Sequence, residues 1–129
     1  MFDLDLLPEE YAVCRLPAGT PLPASLSGGP DDKSVISVTW APEELSIICP
    51  ADRVPSDATI ETPWRCLRVV GPLDLALTGV LASLIGPLAE ARVNIVTFST
   101  YDTDYVLVPT VRLAEAVATL TAAGHRIAG

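Results

Sequence analysis

The sequence has little of what side-chain catalysis or nucleic-acid binding requires. It has a single histidine, His125, and eight lysines and arginines against sixteen aspartates and glutamates, which gives a formal net charge of −8. A nucleophile therefore has no evident general base, and we expect no enzyme. The negative field repels a phosphate backbone and an anionic membrane surface, so neither nucleic acid nor membrane is an expected partner.

Phosphate-binding loops and long hydrophobic runs are also missing. Gly28-Gly29-Pro30 lacks the GxGxxG or GK[ST] context that cradles phosphates. The most apolar stretch, residues 75–89, is shorter than a bilayer-spanning helix and contains Pro87. The first five residues have no basic segment and no continuous apolar core, so we expect no signal peptide and a cytoplasmic protein.

The three cysteines favour the same compartment. Cys14, Cys49 and Cys66 are odd in number, form no CxxC pair and lie between apolar neighbours. Cysteines with this distribution are typical of a reducing compartment, where a free cysteine behaves as a small buried hydrophobic residue. They are too few and too scattered to bind zinc with the one distant histidine, so we expect neither a metal nor a cofactor.

The second half of the chain alternates strands with helices. Apolar residues at three- and four-residue spacing predict a helix that begins at Thr78 and is kinked by Pro87. A second predicted helix follows Pro109 and ends at Gly124. The strands predicted by β-branched and aromatic runs, with a short one at the end, are residues 64–70, 93–98, 105–108 and 125–128. The resulting order, β-α-β-β-α-β, is the ferredoxin-like pattern of an α+β fold.

The first half repeats this order in an abbreviated form. Three prolines and two glycines in residues 20–33 leave room for one short helical turn at most, near residues 24–26. Residues 35–50 can be aligned with residues 94–109 without a gap, which indicates an internal repeat. The strands predicted in this half are residues 11–16, 34–40 and 45–49. The two predicted units are residues 1–61 and 62–129.

One long segment has a specific resemblance. The run LTGVLASLIGPLAEARVNIVTFSTYDTDYVLVP, Leu77 to Pro109, closely resembles the second half of small bacterial proteins with tandem ACT domains. Those proteins are related to the amino-acid-sensing units of aspartate kinases and to the cytosolic arginine sensors of animals. EELSIICP, Glu43 to Pro50, resembles the matching strand of that family. One departure is Arg92, where the family usually has a glycine that ends the helix.

The resemblance implies both a fold and a function. It implies two ferredoxin-like ACT-type units, the first abbreviated, which bind a free amino acid at the interface between ACT units and regulate another process. It also implies self-association, and because small units leave sheet edges that need covering we expect a homodimer. No particular amino acid is implied.

An α-amino acid needs a site for its carboxylate and a site for its ammonium group. The start of the predicted helix offers unpaired backbone N–H groups and the positive end of the helix dipole to an anion. Gly79, without a Cβ, lets a ligand approach the main chain. Asp104, in the neighbouring hairpin, is the predicted acceptor for the ammonium group. The predicted ligand-binding residues are Leu77, Thr78, Gly79, Val80, Ser99, Thr100, Tyr101 and Asp104.

These residues also have purely structural interpretations. Thr78 and Gly79 can form only a cap and a tight turn, and the polar residues of the hairpin can be ordinary strand residues. Tyr101 can be a surface aromatic or a lid over the ligand, whereas Asp102 is expected to be a turn former. The functional alternative is a protein-interaction module with a vestigial cleft, which pairs with a partner protein through exposed sheet edges.

Overall fold

The computed structural model describes residues 1–28 and 31–129. These residues form two compact units, which we call the first unit, Glu9–Pro63, and the second unit, Met1–Pro8 with Trp64–Gly129. The predicted boundary after residue 61 assigned the first eight residues to the first half. As a division between two ACT-like units, that boundary remains a prediction.

The chain contains seven strands and two α-helices in the described residues. The strands are β1 (Asp3–Pro17), β2 (Ser37–Trp40), β3 (Glu44–Pro50), β4 (Thr59–Val69), β5 (Val96–Ser99), β6 (Asp104–Pro109) and β7 (Arg126–Ala128). The helices are α1 (Val80–Glu90) and α2 (Leu113–Ala122). Three short 3₁₀ turns lie at Ala24–Leu26, Ala51–Arg53 and Thr110–Arg112. No helix of the described residues is long and apolar enough to cross a membrane.

The second unit has the predicted order β4-α1-β5-β6-α2-β7, and the ferredoxin-like pattern is confirmed. Antiparallel pairs join β5 to β6 and β6 to β4. The start of β1, which the sequence analysis did not predict as a strand, lies between β7 and β4. Leu4 pairs in parallel with Ile127, and the Val70 N–H donates to the Asp3 carbonyl at 2.9 Å. The strand order of this unit is therefore β7-β1-β4-β6-β5.

The core of the second unit lies between this sheet and the two helices. Alternate residues of each strand point to the helices, as the period of two requires. The buried residues of this core are Leu4, Leu67, Val69, Val106 and Val108 from the sheet, Val80, Leu84, Leu88, Ala116 and Leu120 from the helices, and Val93 between α1 and β5. This packing holds both ends of α1 against the sheet. The start of α1 is the end that carries predicted ligand-binding residues.

Helix α1 continues through Pro87, which has no N–H to give to the Ser83 carbonyl. That carbonyl is bonded instead by the side chain of His125, a residue that is 2% exposed. The His125 Nδ1 accepts the Phe2 N–H at 3.2 Å, so the neutral ring carries its proton on Nε2, which donates to the Ser83 carbonyl at 3.1 Å. The only histidine therefore fastens α1 to the first residues of the chain.

The first unit has the order β1-β2-β3-β4 with three-residue 3₁₀ turns in the places where the second unit has helices. The abbreviation expected from the prolines is confirmed, because Ala24–Leu26 is the only helical turn in the described part of residues 20–33. Gly29 and Pro30, which entered the argument against a phosphate loop, lie outside the described residues. The core residues of this unit are Ala12, Cys14, Leu16, Leu26, Leu45, Ile47 and Cys49.

Candidate functional site

The candidate site is a hollow of about 160 Å³ in the second unit, which we call the acidic hollow. One wall is the β4–α1 loop, residues 70–79, and the other is the β5–β6 turn, residues 100–103, with the strand ends beside it. The lining residues are Leu73, Asp74, Leu75, Leu77, Val80, Ser99, Thr100, Tyr101, Asp102, Thr103 and Asp104.

The β5–β6 turn is closed by its own backbone and side chains. The Thr100 N–H donates to the Thr103 carbonyl at 2.9 Å, and the Thr103 N–H donates to the Thr100 hydroxyl at 3.3 Å. Ser99 and Asp104, the last pair of the β5–β6 ladder, are directly opposite. The Ser99 hydroxyl donates to the Asp104 carboxylate at 2.5 Å, and this bond fixes the orientation of the half-buried carboxylate.

The start of α1 forms one end of the acidic hollow. Gly79 is the N-cap at φ 82°, with no side-chain cap hydrogen bond, and Val80 is the first helical residue and lines the hollow. The predicted start of this helix was Thr78, and the structure places the N-cap one residue later, at Gly79. The left-handed conformation of this N-cap favours glycine. The first-turn N–H groups of a helix have no intrahelical partner, and the helix dipole makes that end positive.

The charges that line the acidic hollow are all negative. Asp74, Asp102 and Asp104 contribute carboxylates, and no lysine or arginine is among the described residues that line it. Asp74 also shapes the loop, because its carboxylate accepts the Ala76 N–H at 2.9 Å. The net charge of the lining is therefore −3, and the site favours a ligand with cationic groups.

The rim of the acidic hollow is apolar and open to solvent. Tyr101 is 81% exposed, Leu75 is 68% exposed and Leu77 is 49% exposed. Three large apolar side chains at the edge of a concave polar site are therefore accessible to solvent.

The structure brings together six of the eight predicted site residues. Leu77, Val80, Ser99, Thr100, Tyr101 and Asp104 line the acidic hollow, whereas Thr78 and Gly79 do not. Sequence reasoning missed Leu73, Asp74, Leu75 and Thr103, and it assigned Asp102 to the turn alone. The Asp74-Leu75-Ala76 segment carried a usable signal, since an aspartate in a loop commonly bonds the N–H two residues ahead.

Metal binding has no support from the geometry. Among residues 1–28 and 31–129, no group of three or more histidine, cysteine, aspartate or glutamate side chains is arranged to hold a metal ion.

The chain is similar to known regulatory proteins. The family model of the ACT domain matches residues 59–122, and a model described as an N-terminal domain matches residues 9–57. The cytosolic arginine sensor for mTORC1 subunit 1 of Bos taurus is 33% identical over 93 residues, and the human protein of that name is 31% identical. The match covers 64% of this chain, which spans only 28% of the length of these curated relatives.

Solved structures extend the likeness to the whole chain. A structural-genomics protein from Agrobacterium tumefaciens is 34% identical with a TM-score of 0.86, over 98% of this chain and 92% of that protein. The regulatory subunit of aspartate kinase from Thermus thermophilus has a TM-score of 0.64 at 13% identity, over 94% of this chain and 97% of that one. The second likeness concerns the fold alone.

Proposed function

The chain belongs to the ACT-domain family, and on that premise we propose that it is a non-catalytic regulatory module that binds a free amino acid in the acidic hollow. The observation that carries the proposal is the joint lining of one hollow by the first residue of α1 and three carboxylates. A zwitterion needs a site of each sign, and these elements offer both.

The α-carboxylate is placed at the start of α1 in this proposal. The N–H groups there have no intrahelical partner and lie at the positive end of the dipole. The α-ammonium group is placed against Asp104, whose orientation is fixed by the Ser99 hydroxyl. A charge-assisted bond to this carboxylate is stronger than a bond between neutral groups.

The remaining charge favours a cationic side chain. One carboxylate suffices for the α-ammonium group, so Asp74 and Asp102 leave an excess of negative charge in the acidic hollow. A guanidinium or ammonium side chain neutralises it, whereas an acidic side chain is repelled. The curated relatives are named arginine sensors, and arginine is our first candidate for the ligand.

The ligand is enclosed, in this proposal, at an interface between ACT units. The exposed rim of Tyr101, Leu75 and Leu77 supports this step, because an amino acid held only by one open hollow stays largely hydrated. A second copy of the chain in a cytoplasmic homodimer supplies the covering unit. Ligand binding then changes the assembly, and through it the contact with a regulated partner protein.

The competing candidate is an interaction module that pairs through sheet edges. β2 ends the strand order of the first unit, and its Trp40 is 62% exposed, which favours strand addition by a partner. This candidate requires no amino acid, so a ligand titration separates the two.

The test is calorimetric titration of the full chain with the twenty amino acids and with L-citrulline. Citrulline has the shape of arginine but a neutral side chain, so we expect heat with L-arginine and much weaker binding of citrulline. Asp104→Asn keeps the shape and removes the charge that holds the ammonium group. Loss of a hydrogen bond to a charged group costs about 1.5–3 kcal/mol, or roughly a tenfold to hundredfold loss of affinity.

Two matched variants serve as controls. Asp57→Asn makes the same chemical change in the first unit, at an exposed residue with φ 67° that asparagine tolerates, and we expect unchanged binding. Asp102→Asn removes part of the excess charge but is expected to weaken binding only slightly, because water screens the charge of an exposed carboxylate. If Asp104→Asn binds with wild-type affinity, this placement of the ammonium group is wrong. If no amino acid gives binding heat with the wild type, the proposed function is wrong.

A further inference from the structure

We propose that Thr103 is a positioning residue of the acidic hollow, whose hydroxyl holds the β5–β6 turn at a fixed distance from the β4–α1 loop. The inference rests on the proposed function, because it assigns a role to a residue that supports the ligand site without supplying a charge.

Two hydrogen bonds join the two walls of the acidic hollow. The Thr103 hydroxyl donates to the Val69 carbonyl, at the end of β4, at 2.5 Å. The Leu73 N–H donates to the Asp102 carbonyl at 2.6 Å. Consecutive residues of the turn are thus bonded to points on either side of the bend that begins the loop.

The two walls of the acidic hollow are packed closely against each other at Gly71. A Cβ on Gly71 would lie 3.0 Å from the Asp102 carbonyl oxygen and 3.3 Å from the Thr103 Cβ, both closer than ordinary contact. The turn therefore rests directly on the backbone of the loop. A shift of either wall changes the width of the acidic hollow, since the packing offers no other adjustment.

The polar groups of Thr103 are all used. Its side chain is buried, with 6% of the residue exposed, and its N–H and carbonyl both bond Thr100 within the turn. A buried hydroxyl is costly unless it is bonded, so this threonine is placed for its bond to Val69 rather than for packing alone. The first unit has no equivalent threonine, because Glu44 is the residue that aligns with Thr103 when residues 35–50 are aligned with residues 94–109.

The position of Thr103 makes it important for the ligand site. It lies between Asp102 and Asp104, two of the three carboxylates that line the acidic hollow. A displacement of Thr103 moves both carboxylates relative to the start of α1. Residues that orient metal-binding side chains typically change metal affinity about tenfold to a hundredfold, and we expect an effect of this size from Thr103.

The decisive variant is Thr103→Val, which keeps the shape of the side chain and removes the hydroxyl. We expect calorimetric titration with L-arginine to show a roughly tenfold or larger loss of affinity. The ratio of arginine to citrulline affinity should fall as well, because the carboxylates lose their alignment with the cationic side chain. A merely stabilising role of Thr103 would leave that ratio unchanged.

Two further variants make the comparison specific. Thr103→Ser restores the hydroxyl and should recover most of the affinity and the ratio. Thr110→Val makes the same chemical change in the same unit, where the buried hydroxyl has no hydrogen-bond partner among the described residues. We expect Thr110→Val to bind arginine as the wild type does, with equal or higher stability.

A ligand-independent readout separates this inference from the proposed function. Hydrogen exchange at the Leu73 amide reports the bond between the walls, and we expect faster exchange in Thr103→Val at a temperature where the chain is folded. If no amino acid binds the wild type, the proposed function fails and the exchange result alone decides whether Thr103 joins the walls. If Thr103→Val fails to fold, Gly71→Ala tests the same distance from the other wall. The inference is wrong if Thr103→Val has the same ratio of arginine to citrulline affinity as the wild type and the same exchange rate at the Leu73 amide.

Discussion

Apart from the start of β1, the two units have the same order of strands and helical elements along the chain, with very different amounts of helix. In the second unit α1 and α2 have 11 and 10 residues, whereas the first unit has a three-residue turn at each of these places. The acidic hollow has three carboxylates in its lining, but the groove beside the first 3₁₀ turn has none. That groove is lined by Leu16, Thr20, Pro21, Leu22, Pro23, Ala24, Ser25, Val54, Pro55 and Ser56. The difference shows that the hairpins are common to both units and that the cluster of carboxylates belongs to one.

The hairpins of the two units have the same register. Trp40 is opposite Leu45 in the first unit, and Ser99 is opposite Asp104 in the second. These four positions correspond in the gap-free alignment of residues 35–50 with 94–109. The fully buried Leu45 thus occupies the place of the carboxylate Asp104, so the first unit uses for its core a position that lines the acidic hollow in the second unit.

The same alignment explains why only one of the two chain segments becomes a helix. The turns Ala51–Arg53 and Thr110–Arg112 correspond, and the next residues diverge. Val54 is extended at ψ 137°, whereas Leu113 is helical at ψ −47°. Val54 precedes Pro55, and a proline disfavours the helical conformation of the residue before it.

The largest expected effect is a loss of stability in the second unit when the hydrogen bonds of His125 to α1 and Phe2 are removed. A second unit with a weakly held α1 resembles the first unit, which has only short helical turns. His125→Leu leaves the Phe2 N–H and the Ser83 carbonyl without their partner, and such a loss costs about 1–3 kcal/mol in a fully buried site and less in a part-buried one such as these. We expect the free energy of unfolding, measured by urea denaturation, to fall by roughly 2–4 kcal/mol.

A double-mutant cycle isolates the cause of that loss. Pro87→Ala restores a helical N–H for the Ser83 carbonyl, so the cost of His125→Leu should be about 1 kcal/mol smaller in the Pro87→Ala background. Strict additivity of the two changes would mean that the histidine does not compensate for the proline.

The second prediction compares how readily the two units open. The chain has no disulfide in the described residues, and Cys14 and Cys49 are buried in the first unit while Cys66 is buried in the second. Burial raises the pKa of the Cys49 thiol from 9.0 to about 12, so this thiol stays protonated at pH 8 and is unreactive until the unit opens.

Thiol labelling at pH 8 followed by mass spectrometry measures this difference. Because the described residues of the first unit form no α-helix over its core, we expect Cys14 and Cys49 to be labelled faster than Cys66, by roughly thirtyfold for a 2 kcal/mol difference in opening. The whole chain in urea provides the reference in which all three thiols react. Equal native rates would show that the chain opens as one cooperative unit and that the missing helices cost the first unit nothing.

Much of this architecture could be predicted from local sequence patterns. The spacing of Leu81, Leu84 and Leu88 predicts α1, and the prolines of residues 20–33 predict a short turn, because both signals act within a few residues. The start of β1 could not be predicted, since its pairing with β7 joins residues more than a hundred positions apart. The role of His125 was missed for the same reason.

The site divides along the same line. The position of Asp104 beside the start of α1 could be predicted because its hairpin is local, and its role toward an ammonium group stays a prediction. The positions of Asp74 and Thr103 in the same lining could not be predicted, because they depend on the contact of the turn with the β4–α1 loop. That contact consists of backbone bonds such as the one from Leu73 to Asp102, which no side-chain pattern encodes.

The smallest expected effect concerns the two helix ends of the second unit, which have the same geometry with different residues. The Val93 N–H bonds the Leu88 carbonyl at 2.9 Å, and the His125 N–H bonds the Leu120 carbonyl at 3.1 Å. Each pattern places the preceding residue in the left-handed region, where Arg92 has φ 59° and Gly124 has φ 99°.

Arg92→Gly should therefore raise the free energy of unfolding by about 1 kcal/mol, because a left-handed conformation costs a residue with a Cβ roughly that amount. The Arg112 guanidinium donates to the Arg92 carbonyl at 3.3 Å, a backbone contact that the change retains. The reciprocal variant, Gly124→Ala, should lose stability, since its Cβ would also lie 3.0 Å from the Met1 Cγ. A loss of stability in Arg92→Gly, measured by urea denaturation, would mean that the side chain of Arg92 contributes more than its backbone strain costs. The departure from the usual glycine would then be an interaction rather than a tolerated defect.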